Sequence, residues 1–203
     1  MDGVAPTSRR WATIPNAVTA VRLALLPVYV FLAVWTRHWA VAAWLLAALG
    51  ATDWVDGFLA RRLHQVSEVG KIIDPVADRL LVMTAVVSIA VVGAVPWWFA
   101  ALTLGREAVV SLVTLVLAAL GAARIDVLWW GKASTFALMV AYPVFLLTCN
   151  PAGAALHPWQ HDVRVVDWVI GGLGLAVAWI VLGGYVRPAL TALRTGRDAR
   201  RQN

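Results

Sequence analysis

Residues 38–78 read HWAVAAWLLAALGATDWVDGFLARRLHQVSEVGKIIDPVAD. An apolar stretch fit to cross a membrane ends on Asp53 and Asp56. After a polar turn, the next apolar stretch opens on Asp74 and Asp78. Residues three or four apart share a helix face. Asp53 and Asp56 are therefore expected to project together from the end of one helix, and Asp74 and Asp78 from the start of the next. The intervening turn makes those helices neighbours, so the four carboxylates are expected to converge at one edge of a bundle. Each costs roughly 2.5–3.5 kcal/mol at the bilayer centre, less toward the interface, and four together repel. Oxygen-only ligands suit hard divalent cations, Mg²⁺ or Mn²⁺ ahead of Zn²⁺ or Cu²⁺. Two such ions would leave positions open to a phosphate. Gly57 and Ala60 remove bulk beside the acids, Arg61 supplies a planar fork suited to phosphate, Gly70 eases the second turn, and Pro75 is tolerable near a helix start. Singly, such acids often pair with Arg, and such small residues often serve helix packing. Together in one run they describe a metal-dependent phosphate-transfer site at a membrane surface.

The rest of the chain supports that setting. Of 203 residues, 61% are apolar and 14% charged, with mean hydropathy +0.76. Soluble domains run near 45–50% apolar and about 25% charged. A soluble domain, a disordered chain and a collagen are excluded, and the single cysteine, Cys149, rules out a disulfide scaffold and is expected to serve packing. Spans need about 20 apolar residues, and six are expected: 15–36, 38–61, 72–95, 97–121, 131–150 and 164–187. Gly93 and Pro96 punctuate the third turn; Asn150, Pro151, Gly153 and Pro158 break the fifth. No cleavable signal peptide is expected. Thr7–Leu23, with Arg9, Arg10, Trp11 and Pro15, reads as a short interfacial lead-in.

Charge orients the bundle. Arg9, Arg10, Arg61, Arg62, Lys71, Arg79, Arg124, Lys132, Arg187, Arg194, Arg197, Arg200 and Arg201 fall on one side, and only Arg37 and Arg164 on the other. The positive-inside rule then places both termini in the cytoplasm. Trp35, Trp39, Trp97, Trp98, Trp129, Trp130 and Trp159 fall near span ends, as an aromatic belt requires. The net charge of +6 is spread over span ends rather than gathered on a wet face, which argues against a nucleic-acid partner. No internal repeat is visible. Residues 1–193 are expected to form one all-α, polytopic membrane domain, followed by a basic cytoplasmic tail over 194–203 that serves orientation and attraction to anionic lipid.

The acidic run resembles the signature of the CDP-alcohol phosphatidyltransferase family, Asp-x₂-Asp-Gly-x₂-Ala-Arg-x₈-Gly-x₃-Asp-x₃-Asp, with every fixed position filled. Ile14-Pro15-Asn16-Ala17-Val18-Thr19-Ala20-Val21-Arg22 resembles the opening of its bacterial glycerophospholipid branch, and Gly131-Lys132 its fifth span. The resemblance covers most of the chain, about 14–147. It implies a six-helix enzyme of the cell membrane, a homodimer, with two divalent ions, a CDP-diacylglycerol donor and an active site facing the cytoplasm. It implies metal binding by Asp53, Asp56 and Asp74, with Asp78 as metal ligand or catalytic base. Gly57, Ala60, Arg61 and Gly70 would bind CDP-diacylglycerol. The implied reaction is direct displacement: Asp78 takes the acceptor's hydroxyl proton, that oxygen attacks the phosphorus carrying diacylglycerol, and CMP leaves.

The acceptor is read from the remaining intramembrane charges. Arg106 and Glu107 interrupt span four and Lys132 opens span five. Arg106 either pairs structurally with Glu107 or another helix, or joins Lys132 in holding the acceptor's phosphate, with Arg22 assisting or snorkelling. Phosphatidylglycerophosphate synthases, which this chain resembles, carry an Arg eight positions after that of the Arg-Glu pair and a second Lys in Gly-Lys-x-Lys-Thr. Here those positions hold Thr114 and Ser134. Glycerol 3-phosphate is a dianionic phosphomonoester, whereas phosphatidylglycerol is a monoanionic phosphodiester that needs fewer cations. The departure favours phosphatidylglycerol and a cardiolipin synthase, with phosphatidylglycerophosphate synthase as the alternative. A cation transporter, the remote rival, would need charges spread through the membrane depth and repeat symmetry.

Overall fold

The computed structural model describes the backbone of residues 14–63, 70–119, 129–150 and 158–184, with side chains for 17–52, 76–113, 115, 129–150 and 158–184. The lead-in before Ile14 and the basic tail lie outside the described residues. Six α-helices and no strand occur among those described: α1 Ile14–Val30, α2 Trp39–Leu63, α3 Gly70–Val91, α4 Trp97–Ala119, α5 Trp129–Leu147 and α6 Pro158–Gly184. Each predicted span thus has its helix. The sixth begins six residues earlier than hydropathy indicates, because Pro158 can open a helix and the polar residues after it do not stop one.

Three segments are long and apolar enough to cross a membrane: Ala17–Trp35, Trp129–Leu147 and Pro158–Gly184. Trp39–Thr52 is a shorter apolar stretch of α2. The chain divides into two compact units, residues 1–88 and 89–203.

In the first unit α1 packs on α2. The buried positions of α1 are Thr19, Arg22, Leu26, Tyr29 and, in the π-helical turn Phe31–Trp35 that extends it, Ala33. Their spacing of three and four traces one stripe. Ala42, Ala43, Leu46 and Leu49 of α2 and Ala77, Leu81, Ala85 and Val86 of α3 supply the rest of this core. Val21, Val28, Phe31, Trp35, Val41 and Trp44 are exposed. Helices apolar on every side suit a hydrocarbon solvent. Arg37 closes the π-helical turn in the left-handed region (φ 55°), reversing the chain into α2.

The second unit is built on α5 and α6, whose contact is the most extensive among the described helices. Two glycines set its closeness. A Cβ on Gly171 would lie 3.0 Å from Phe145, and one on Gly174 would lie 3.2 Å from the Ala137 Cβ and 3.4 Å from the Ser134 carbonyl oxygen. Small residues let membrane helices approach in this way. Phe99, Phe145 and Trp168 meet edge to face with centroids 5.0–5.7 Å apart, and Trp98 stacks on Trp168 at 6.1 Å. At the same end, Arg164 donates to the carbonyls of Thr148 (3.2 Å) and Ala94 (3.3 Å). It thereby ties α6 to the end of α5 and to the turn that Gly93 makes at φ 78°. Cys149 is buried, in keeping with a packing role.

Candidate active site

The helical backbone of α2 carries Asp53, Asp56, Gly57, Ala60 and Arg61, and that of α3 carries Gly70 and Asp74. Their side chains lie outside the described residues, as does that of Thr114 on α4. On these helices the acids stand three residues apart on α2 and four apart on α3.

Asp78 is described. Its Oδ1 accepts a hydrogen bond from Arg22 Nη1 at 2.8 Å, an ion pair in which the Arg22 side chain is 1% exposed and that of Asp78 45%. Arg22 sits on the interior stripe of α1, so its guanidinium reaches α3 from within the first unit. The distance is that of a charge-assisted bond. From the sequence, Arg22 was expected to assist in holding the acceptor or to snorkel; the structure describes its bond to the fourth aspartate. A separation of 56 residues leaves no periodic signal for such a pair.

The second unit holds the other charges. Arg106 is 8% exposed and its Nη1 is bonded to the Glu107 carboxylate. Its Nη2 donates to Thr135 Oγ1 at 3.4 Å, and its Nε is buried with no hydrogen-bond partner. Thr135 Oγ1 in turn donates to the Gly131 carbonyl at 3.0 Å. Lys132 is exposed on the first turn of α5, three residues before Thr135 and so on its face. Arg106 thus reaches the helix face that carries Lys132 and Thr135, and it does so with a carboxylate attached. Thr135 was not singled out from the sequence; its spacing from Lys132 was the available signal. Ser134, where the glycerol-3-phosphate enzymes carry the second Lys, is 3% exposed. Its hydroxyl turns back on the Gly131 carbonyl at 2.9 Å, and its backbone abuts Gly174 of α6.

Among the described residues no three His, Cys, Asp or Glu side chains gather into a metal-binding group. Of the four acids of the 53–78 run, only Asp78 has a described side chain, and it is 45% exposed.

Residues 12–180 match the CDP-alcohol phosphatidyltransferase family. The chain belongs to this family. The match takes in Arg22, all four aspartates, Arg106 and Lys132, and it makes the protein a transferase rather than a cation transporter. This CDP-alcohol phosphatidyltransferase is 38% identical over 165 residues to a protein of Mycobacterium tuberculosis provisionally named a cardiolipin synthase, covering 80% of this chain and 75% of the relative. It is 33% identical over 178 residues to the cardiolipin synthase (CMP-forming) of Streptomyces coelicolor, covering 84% and 79%. With the CDP-diacylglycerol–glycerol-3-phosphate 3-phosphatidyltransferase of Pseudomonas fluorescens it shares 35% identity over 195 residues, 93% of this chain and 95% of the relative.

Proposed function

We propose that the protein transfers the phosphatidyl group of CDP-diacylglycerol to phosphatidylglycerol, releasing CMP and forming cardiolipin. Family membership and the names of the relatives support a glycerol-type acceptor. The observation that carries the choice among acceptors is the pairing of Arg106 with Glu107. Two cations and one carboxylate, Arg106, Lys132 and Glu107, leave a single net positive charge. That matches a phosphodiester monoanion and undercompensates a phosphomonoester dianion. Phosphatidylglycerophosphate synthesis is the second reading, favoured by the near end-to-end match to the Pseudomonas fluorescens enzyme.

Asp53, Asp56, Asp74 and Asp78 fit Mg²⁺ or Mn²⁺ by their all-oxygen chemistry. When bound, two such ions supply positive charge to the donor's pyrophosphate and its leaving group. The chain's own residues do the rest. Gly57, Ala60 and Gly70 admit the CDP portion and Arg61 grips its phosphate. Arg106 and Lys132 orient the acceptor. The Asp78 carboxylate takes the proton of the attacking hydroxyl as the new P–O bond forms and the bond to CMP breaks. The six helices are read as six spans of one domain over residues 1–193, in a homodimer of the cell membrane. Both termini, the 194–203 tail and the aspartates face the cytoplasm.

The test is a paired assay of purified protein in mixed micelles with CDP-diacylglycerol and Mg²⁺ or Mn²⁺, one arm given glycerol 3-phosphate and the other phosphatidylglycerol. Cardiolipin from the second arm alone is expected. Phosphatidylglycerophosphate from the first would select the second reading. Asp78→Asn should lower CMP release about 10²–10⁴-fold, and chelation of divalent ions should abolish it.

A further inference from the structure

We infer that Arg22 is a positioning residue that acts through Asp78, and that it does not bind the acceptor. The inference rests on the reading that Asp78 serves the transfer reaction. The ion pair is asymmetric. Its cation is enclosed, at 1% side-chain exposure, while its carboxylate keeps 45%. An arginine that grips a diffusing substrate must present its fork to the space the substrate enters. Arg22 instead lies in the buried stripe between Thr19 and Leu26. A planar guanidinium held on both sides by packing fixes the direction of its N–H bonds. The 2.8 Å bond from Nη1 then fixes the rotamer of Asp78, whose side chain keeps 45% of its surface exposed. Asp78 also sits one turn beyond Asp74 on α3, so a brace at Asp78 sets the rotation of the helix that carries both.

The test separates positioning from acceptor binding and from plain structural support. Arg22→Met and Arg22→Lys are purified in detergent alongside Asp78→Asn and the Arg22→Met/Asp78→Asn double variant. Folding is checked by gel filtration and thermal melting. Mn²⁺ affinity is measured by electron paramagnetic resonance, and kcat and both KM values by CMP release. Removing a group that orients a metal ligand typically costs 10–100-fold in affinity or activity. Arg22→Met should therefore weaken Mn²⁺ binding and lower kcat within about that range, with the acceptor KM held within about twofold. In the Asp78→Asn background the same substitution should change Mn²⁺ affinity less than about twofold, because the coupling between the two side chains has then already been removed. Arg22→Lys, which can still reach the carboxylate through one ammonium, should recover part of kcat at an unchanged acceptor KM. This variant carries the test if Arg22→Met does not fold.

An acceptor KM raised about tenfold at constant kcat would overturn the inference in favour of acceptor binding. Equal loss of Mn²⁺ affinity in both backgrounds, or a drop in melting temperature with kcat and Mn²⁺ affinity unchanged, would reduce Arg22 to a structural brace. A wild-type protein that releases no CMP with either acceptor refutes the proposed function instead, and is read before any variant.

Discussion

At Glu107 a single carboxylate is bonded to the enclosed guanidinium of Arg106. Replacing it with Gln would leave Arg106 buried without its counter-charge, and losing one partner of a buried charged bond costs about 1–3 kcal/mol. Glu107→Gln should therefore lower the melting temperature. It should also lower KM for glycerol 3-phosphate relative to phosphatidylglycerol, since the dianion gains most from the restored charge. The ratio of the two KM values checks this. Ser134 makes the complementary point. Adding Lys there does not simply add a phosphate ligand, because the position is enclosed at the α5–α6 contact. Overpacking a tight interior costs about 1–3 kcal/mol. Ser134→Lys should destabilise the protein in a detergent melt, and by itself should not confer use of glycerol 3-phosphate. The sequence showed that a cation was missing at 134. It could not show that the site is walled by α6, since Gly174 is 40 residues away and carries no charge to mark the contact.

At the scale of elements, the contact of α5 with α6 turns on glycines that are not equivalent. A Cβ on Gly171 or Gly174 would lie 3.0–3.2 Å from side chains of α5, whereas one on Gly172 would meet nothing within 4 Å. Gly171→Val should cost about 1–3 kcal/mol of stability through collision with Phe145. Gly172→Ala should be neutral or gain up to about 1 kcal/mol from helix propensity. Thermal unfolding of the two variants in one detergent compares them directly. Among the described residues the turn between α3 and α4 was legible because hydropathy and breakers agree: Gly93 and Pro96 do part them. The start of α6 was misread because Gln160, His161, Asp162 and Arg164 look like loop. In the structure they form the polar first turns of a helix anchored by the Arg164 bonds to Thr148 and Ala94. Which helix packs on which left no trace in periodicity, because helices apolar all round have no polar face to exclude.

For the whole molecule, the distribution of Lys and Arg predicts orientation, and orientation can be read with a membrane-impermeant thiol reagent. In a Cys149→Ser background, His161→Cys lies at the exposed start of α6 and should label in intact cells, whereas Arg197→Cys should label only after permeabilisation. The reverse pattern would invert the topology and move the aspartates away from cytoplasmic CDP-diacylglycerol. The acidic signature was legible because its chemistry is local in sequence. The bonds that brace Asp78 and neutralise Arg106 depend on tertiary packing or on rotamer choice.

The bond from Arg22 to Asp78 also has a history in time. A ribosome adds about 5–20 residues per second. The carboxylate that Arg22 meets is 56 residues downstream and is made roughly 3–11 s later. Over that interval Arg22 is present in the chain without this one carboxylate. Arg106 and Glu107, adjacent in the chain, emerge together and suffer no such delay. The bond between the first and third helices can close only after the third has been synthesised.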